Sequence, residues 1–294
     1  MRMCQLSCTN TATIQAQGAG TTRRHTSPAS SSRTSPGSAP RASPSAGAAF
    51  APPMASPSGA AAGSTSSLPT GDTGRRRAGA RWETCAIVGN SGTLLLQEQG
   101  QEIDAHEMVL RINNAPILRR WQPHVGSRTT ISFMNQHHGL LLSRGAAPRH
   151  PGSLLMLFES AHDEVRNKLL PSLKKRFRTA QLLSPAFLVR AYTSWFKLRA
   201  MVQERELKRA GAPLPKALLR RKPMSGFFAA VFAAQVCDRI DLYGFANWTK
   251  GGEGRGQPPY HYFDSAVGVT AVHSFRLALE VLQLMSQSLN MTIQ

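Results

Sequence analysis

The chain has 294 residues, 41% of them hydrophobic, and a net charge of +19, a length and apolar content that exclude disorder throughout. No stretch offers the ~20 uninterrupted apolar residues of a membrane-spanning helix: the best candidate, 46–62, is broken by Pro52, Pro53, Ser56 and Pro57, and the first eleven residues lack the apolar core of a secretory signal. Four cysteines are too few for a disulfide scaffold, and neither Cys85 nor Cys237 has a second Cys or a His at ligand spacing, so no metal is expected.

Residues 1–80 hold eight Arg, no Lys and one acid, Asp72, among Ser, Ala, Thr, Gly and Pro. Such a composition cannot bury enough apolar surface to offset chain entropy, which predicts a disordered N-terminal segment over 1–80 and one folded domain over 81–294. The segment suits a transit peptide and a flexible stem equally. At 85–89 a short, β-branched apolar run predicts a buried strand. It ends in Asn90-Ser91-Gly92 and is followed by a helical pattern over 93–102, the opening of a doubly wound α/β sheet. Further strands are predicted at 109–112, 129–134, 154–158 and 240–245, with helices at 161–177, 184–209, 227–236 and 270–287. Strands alternating with helices argue for an α/β fold with a mostly parallel sheet covered on both faces. Sixteen basic and two acidic residues fall between 166 and 222, interleaved with apolar residues, and read as the solvated faces of amphipathic helices. With no zinc spacing, RNP-type aromatic block or helix-turn-helix pattern beside them, no nucleic-acid partner is expected.

Ligands of open α/β sheets bind outside the carboxyl ends of the strands, and three polar clusters fall there. Asn90 with Ser91, and Asn113, could donate to and accept from a nucleotide. Ser225-Gly226 opens a helix whose free N–H groups and dipole favour a phosphate. A fourth cluster, Tyr260 to Asp264, contains His261, and His273 follows at the start of the last predicted helix; two imidazoles near an anion site suit a phosphate partner and a general base. Taken singly, each of these residues also has an ordinary structural use, Asn in turns, Ser-Gly as a cap, His in packing. Asp-x-Asp, Gly-x-Ser-x-Gly and Walker patterns are absent, which sets aside serine hydrolases and P-loop enzymes.

CAIVGNSG at 85–92, continuing through QEID at 101–104, VLRINNAP at 109–116 and VGSRTT at 125–130, resembles the large sialylmotif of the eukaryotic sialyltransferases. PMSGF at 223–227 through CDRIDLYGF at 237–245 resembles the small motif, HYFD at 261–264 the third, and His273 the opening of the very small motif. The resemblance implies a GT-A-like (Rossmann-type) fold and inverting, metal-independent and cofactor-free transfer of sialic acid, or a related ulosonic acid, from a CMP-sugar donor to a glycan acceptor. It implies that Asn90, Ser91 and Asn113 contact the nucleotide, that Ser225 and Gly226 lie along the donor, that His261 meets the leaving phosphate and that His273 is the base. It further implies a Cys85–Cys237 disulfide and a Golgi location, in a family of membrane-anchored proteins. Two positions depart from the pattern: Met224 stands where a small hydroxyl residue is usual, and Ala278 where the very small motif has Glu, the nearest acid being Glu280. These departures leave a rival, a CMP-binding pseudoenzyme of the same fold.

Overall fold

The computed structural model describes residues 81–219, 221–246, 256–268 and 272–294. The segment 1–80 and its expected disorder lie outside the described residues. In chain order the elements are β1 (Trp82–Val88), α1 (Gly100–Ala105), β2 (Met108–Ile112), α2 (Gln122–Val125), β3 (Ile131–Met134), α3 (Gln136–Ser143), β4 (Leu154–Leu157), α4 (Leu170–Arg176), β5 (Gln181–Leu182), α5 (Pro185–Ala210), α6 (Lys216–Leu219), α7 (Ser225–Val236), β6 (Cys237–Tyr243), α8 (Phe275–Ser286) and β7 (Met291–Ile293).

The strands form one sheet in the order β5-β4-β3-β2-β1-β6-β7, every neighbouring pair parallel. Parallel strands need both faces covered, which is why β2 is buried at all five positions and is apolar at all but Arg111. On one face Ile87, Leu110, Phe133 and Leu242 pack against α5, α7 and α8 through residues such as Trp195, Phe227 and Val281. α7 is sunk deepest, with Gly226 to Ala233 all buried, so its sequence is apolar all round instead of striped. On the other face two smaller clusters form, one under Ala86, Val88, Val109 and Tyr243, the other under Met134, Leu155 and Leu157. Between them lies a polar seam. Arg111 and Ser132 are register partners there, Ser132 Oγ is 2.9 Å from Ser153 Oγ, and the buried Arg111 donates from Nε to Arg128 O (2.9 Å) and Thr129 Oγ1 (3.0 Å). Burial lowers the Arg111 pKa to about 10.

The five predicted strands are present, within a few residues at each end. The predicted helix 93–102 is split into a 3-10 turn, Gly92–Leu96, and α1, because Ser91 caps the first turn and the backbone extends at Gln97. The predicted helix 161–177 opens with a π turn, Val165–Leu169, before α4. The last helix starts at Phe275, not 270, since Ser274 accepts the Leu277 N–H and sets the N-cap. His273 therefore precedes the helix. Strands β5 and β7 and the short helices α2, α3 and α6 went unpredicted; each has eight residues or fewer, too short for a periodic signal.

Cys85 and Cys237 are disulfide-bonded, with Cα atoms 6.1 Å apart. The bond ties β1 to the first residue of β6 within the larger core.

Candidate functional site

Successive strands β1, β2 and β3 step one way across the sheet, whereas β6 pairs with β1 from the opposite side. The carboxyl ends of β1 and β6 thus flank a topological switch point, where connecting chains diverge and leave a crevice. A cleft of about 400 Å³ opens there, lined by Asn90 and Ser91 after β1, Asn113 after β2, Ser225 and Gly226 at the start of α7, and His261 and His273. All seven residues singled out in the sequence converge on one cavity.

Asn113 has φ 61°, alone among the described non-glycine residues in the left-handed region, a conformation Asn tolerates through local hydrogen bonding. Its Oδ1 accepts from Asn135 N (3.3 Å). Asn90 is held by both of its ends: its carbonyl accepts from Tyr262 N (3.0 Å), and its side-chain amide, turned to the sensible orientation, donates to Ile112 O (3.2 Å). Ser91 already uses its Oγ to accept from Thr93 N (3.2 Å) and Thr93 Oγ1 (3.0 Å), a cap on the turn that follows. Two glycines allow backbones to meet at the crevice. A Cβ on Gly89 would stand 2.9 Å from Gly244 O, and one on Gly226 would stand 2.5 Å from Cε1 of Phe245, whose ring lies against the first turn of α7.

The segment carrying His261 is tied down by Tyr262, whose hydroxyl donates to Pro116 O (2.8 Å). The His261 ring stacks with Tyr260 (centroids 4.3 Å apart) and Phe263 (5.0 Å), and its Nδ1 donates to the Asp264 carboxylate at 3.0 and 3.1 Å. His273 Nδ1 donates to Lys222 O (3.0 Å), and Lys222 N donates back to Val272 O (3.0 Å), so His273 is fixed to the segment that leads into α7. A carbonyl or carboxylate oxygen only accepts, so each Nδ1 bears hydrogen and Nε2 is the free position of each ring.

Sequence reasoning missed His138, Asn135 and Phe245, which line the same cleft. His138 and Asn135 follow the carboxyl end of β3, so the rule that selected Asn90 and Asn113 would have found them. Burial, with the charges of His137 and His261, lowers the His138 pKa to about 4. Both departures from the motif also face the cleft, as Met224 and Ala278 line it. Glu280 does not replace the missing acid, because it is turned to Arg276 (2.8 Å) and Arg205 (3.3 Å). Among the described residues no group of three or more His, Cys, Asp or Glu is placed to hold a metal ion, and no helix is long and apolar enough to cross a membrane.

The family model of glycosyltransferase family 29 (sialyltransferase) matches residues 62–289. Sialyltransferase-like protein 3 of rice, Oryza sativa, is 32% identical over 193 residues, covering 56% of this chain and 48% of that one. The CMP-N-acetylneuraminate-beta-galactosamide-alpha-2,3-sialyltransferase 1 of Gallus gallus is 29% identical over 175 residues, covering 57% and 45%. The chain spans about half the length of these curated relatives. The crystal structure of a mammalian sialyltransferase aligns with TM-score 0.47 at 22% identity, covering 73% of this chain and 69% of that one.

Proposed function

The chain belongs to glycosyltransferase family 29, the sialyltransferases, and from that premise we propose that its cleft transfers a sialic or related ulosonic acid from a CMP-linked donor to a glycan hydroxyl, with inversion and without a metal. The observation that carries this reading is the convergence of Asn90, Asn113, the α7 N-terminus, His261 and His273 on one cavity at the switch point. In the scheme, Asn90 and Asn113 hold the nucleotide, and Ser91 shapes the turn beneath it. The phosphate lies against the first N–H groups of α7 at Ser225 and Gly226, where the helix dipole favours negative charge.

Two proton demands follow. The acceptor hydroxyl must lose a proton as its oxygen attacks the anomeric carbon, and charge must be met on the phosphate as the bond to CMP breaks. His273 suits the first demand: with Nδ1–H on Lys222 O, its Nε2 presents a lone pair. His261 suits the second when Nε2 also carries a proton, its ring being oriented by Asp264 and by stacking with Tyr260 and Phe263. The Cys85–Cys237 disulfide calls for an oxidising compartment, consistent with the Golgi.

The test is CMP release from CMP-sialic acid in the presence of a panel of glycan acceptors, followed by mass analysis of the product. Acceptor-dependent release with a sialylated product is expected. Tight CMP binding with no release would favour the pseudoenzyme reading instead, for which Met224, Ala278 and the diverted Glu280 are the supporting features.

A further inference from the structure

His138 is held in the opposite sense to the other two histidines of the cleft. α3 begins where β3 ends, and Asn135 caps it by accepting from His138 N (2.9 Å), which fixes the residue at the cleft wall. Asn114, buried beside it, donates from Nδ2 to His138 O (2.9 Å). That bond sets the orientation of the amide, since a carbonyl cannot donate. The same Nδ2 stands 3.5 Å from His138 Nδ1. An amide nitrogen offers only hydrogen, so Nδ1 is the lone-pair side of the ring and the neutral imidazole carries its hydrogen on Nε2. Among the described residues Nε2 has no protein partner, and His138 lines the cleft.

The surroundings define what such an N–H would meet. None of the described residues lining the cleft is Asp or Glu, whereas the α7 N-terminus, Asn90, Asn113 and two further imidazoles are all present. A cavity so endowed with donors suits an anion. Desolvation and the neighbouring His137 and His261 disfavour a charge on His138, so it can donate as the neutral imidazole.

We propose that His138 is an oxyanion-binding residue of the donor site, its Nε2–H donating to a phosphate or carboxylate oxygen of the CMP-linked sugar acid. The proposal rests on the reading of the cleft given above. The two oxygens share one chemistry, and ligands of increasing size separate them.

Calorimetric titration of the wild type, His138→Ala and His138→Gln with cytidine, CMP and CMP-sialic acid is the test, with thermal melts alongside. His138→Ala should lose about 10- to 100-fold in affinity for an anionic ligand, as expected for one lost charge-assisted hydrogen bond, and nothing for cytidine. Loss already present with CMP assigns the phosphate; loss confined to CMP-sialic acid assigns the carboxylate. His138→Gln, which keeps an N–H donor, should recover part of the loss. Equal weakening of all three ligands, cytidine included, would make His138 a packing residue and overturn the proposal, as would three unchanged affinities. Should both variants fail to fold, nitrogen NMR of the wild-type histidines decides: hydrogen on Nε2 of His138, shifted by CMP or CMP-sialic acid, is expected, and hydrogen on Nδ1 overturns it. If the wild type binds neither CMP nor CMP-sialic acid, the reading of the cleft itself has failed, an outcome distinct from an anion site that ignores His138.

Discussion

His106 and His273 contrast the body of this sheet with its rim. His106 sits beneath β6 with only 3% of its surface exposed, and both ring nitrogens face acceptors, Nδ1 toward Glu102 O (2.9 Å) and Nε2 toward Asp241 Oδ2 (2.8 Å). His273, at the carboxyl-end rim, has one nitrogen tied to Lys222 O and the other open to the cleft. On the proposed scheme the same side chain is a strut in one place and a reagent in the other, and the difference is the count of nitrogens the protein has already engaged.

The comparison yields a division to break: changes in the body should cost stability and spare CMP binding and turnover, while changes at the rim should cost CMP binding or turnover and spare stability. The largest effect belongs to the disulfide. Replacing Cys85 and Cys237 by Ser opens a loop of 152 residues, and loop-closure entropy sets the loss of unfolding free energy at up to about 5 kcal/mol, measured by denaturant titration. CMP affinity of the folded fraction should not change; if it falls, body and rim are coupled through β1 and β6. Next, His273→Ala should reduce turnover about 10²–10⁴-fold, some 3–5 kcal/mol of transition-state stabilisation, with an unchanged CMP affinity by calorimetry. Full turnover in that variant would return His273 to the class of His106.

His106→Ala removes a hydrogen bond to the buried Asp241 carboxylate, a loss of about 1.5–3 kcal/mol by thermal or denaturant melting. A drop in turnover at unchanged stability would contradict the division. Asn113→Ala should weaken CMP by about 1–3 kcal/mol in calorimetry. Unchanged affinity would leave Asn113 as a turn former, the use its left-handed backbone already explains.

The smallest effect is a slope with pH. His150, in the polar seam, is buried and faces the charge of Arg111, and its pKa falls to about 4 from an ordinary 6.5. Between those values the unfolded chain binds a proton that the native state refuses, so stability declines as pH falls from about 6.5 to about 4 and is unaffected by His150 above that window. The melting temperature should fall from pH 7 to pH 5, and His150→Asn should flatten the decline; an identical decline in the variant would assign it elsewhere. His138 contributes in the same direction from the rim.

Five strands were legible because each is buried on two faces and must be a short apolar run, and the long helices because 26 residues in α5 and 12 in α7 leave a clear composition. The interruption of 93–102 was not, since it depends on Ser91 turning its hydroxyl back on Thr93 instead of toward the cleft. His138 was passed over although it follows a strand end, because a pair of histidines in the first turn of an eight-residue helix carries no periodicity and no pattern that marks one ring as inward.

What the sequence determined by itself was local: which runs could only be buried strands, where polar residues must cluster at their ends, and which motif strings resemble the sialyltransferases. What the tertiary structure alone decided was the partnership of each polar atom. Asn114 lies 24 residues from His138, Lys222 lies 51 from His273, and Asp241 lies 135 from His106. A ring nitrogen becomes donor, acceptor or strut according to the atom it meets. That meeting is fixed by strand order and burial, through which residues distant in the chain are brought to one end of a parallel sheet.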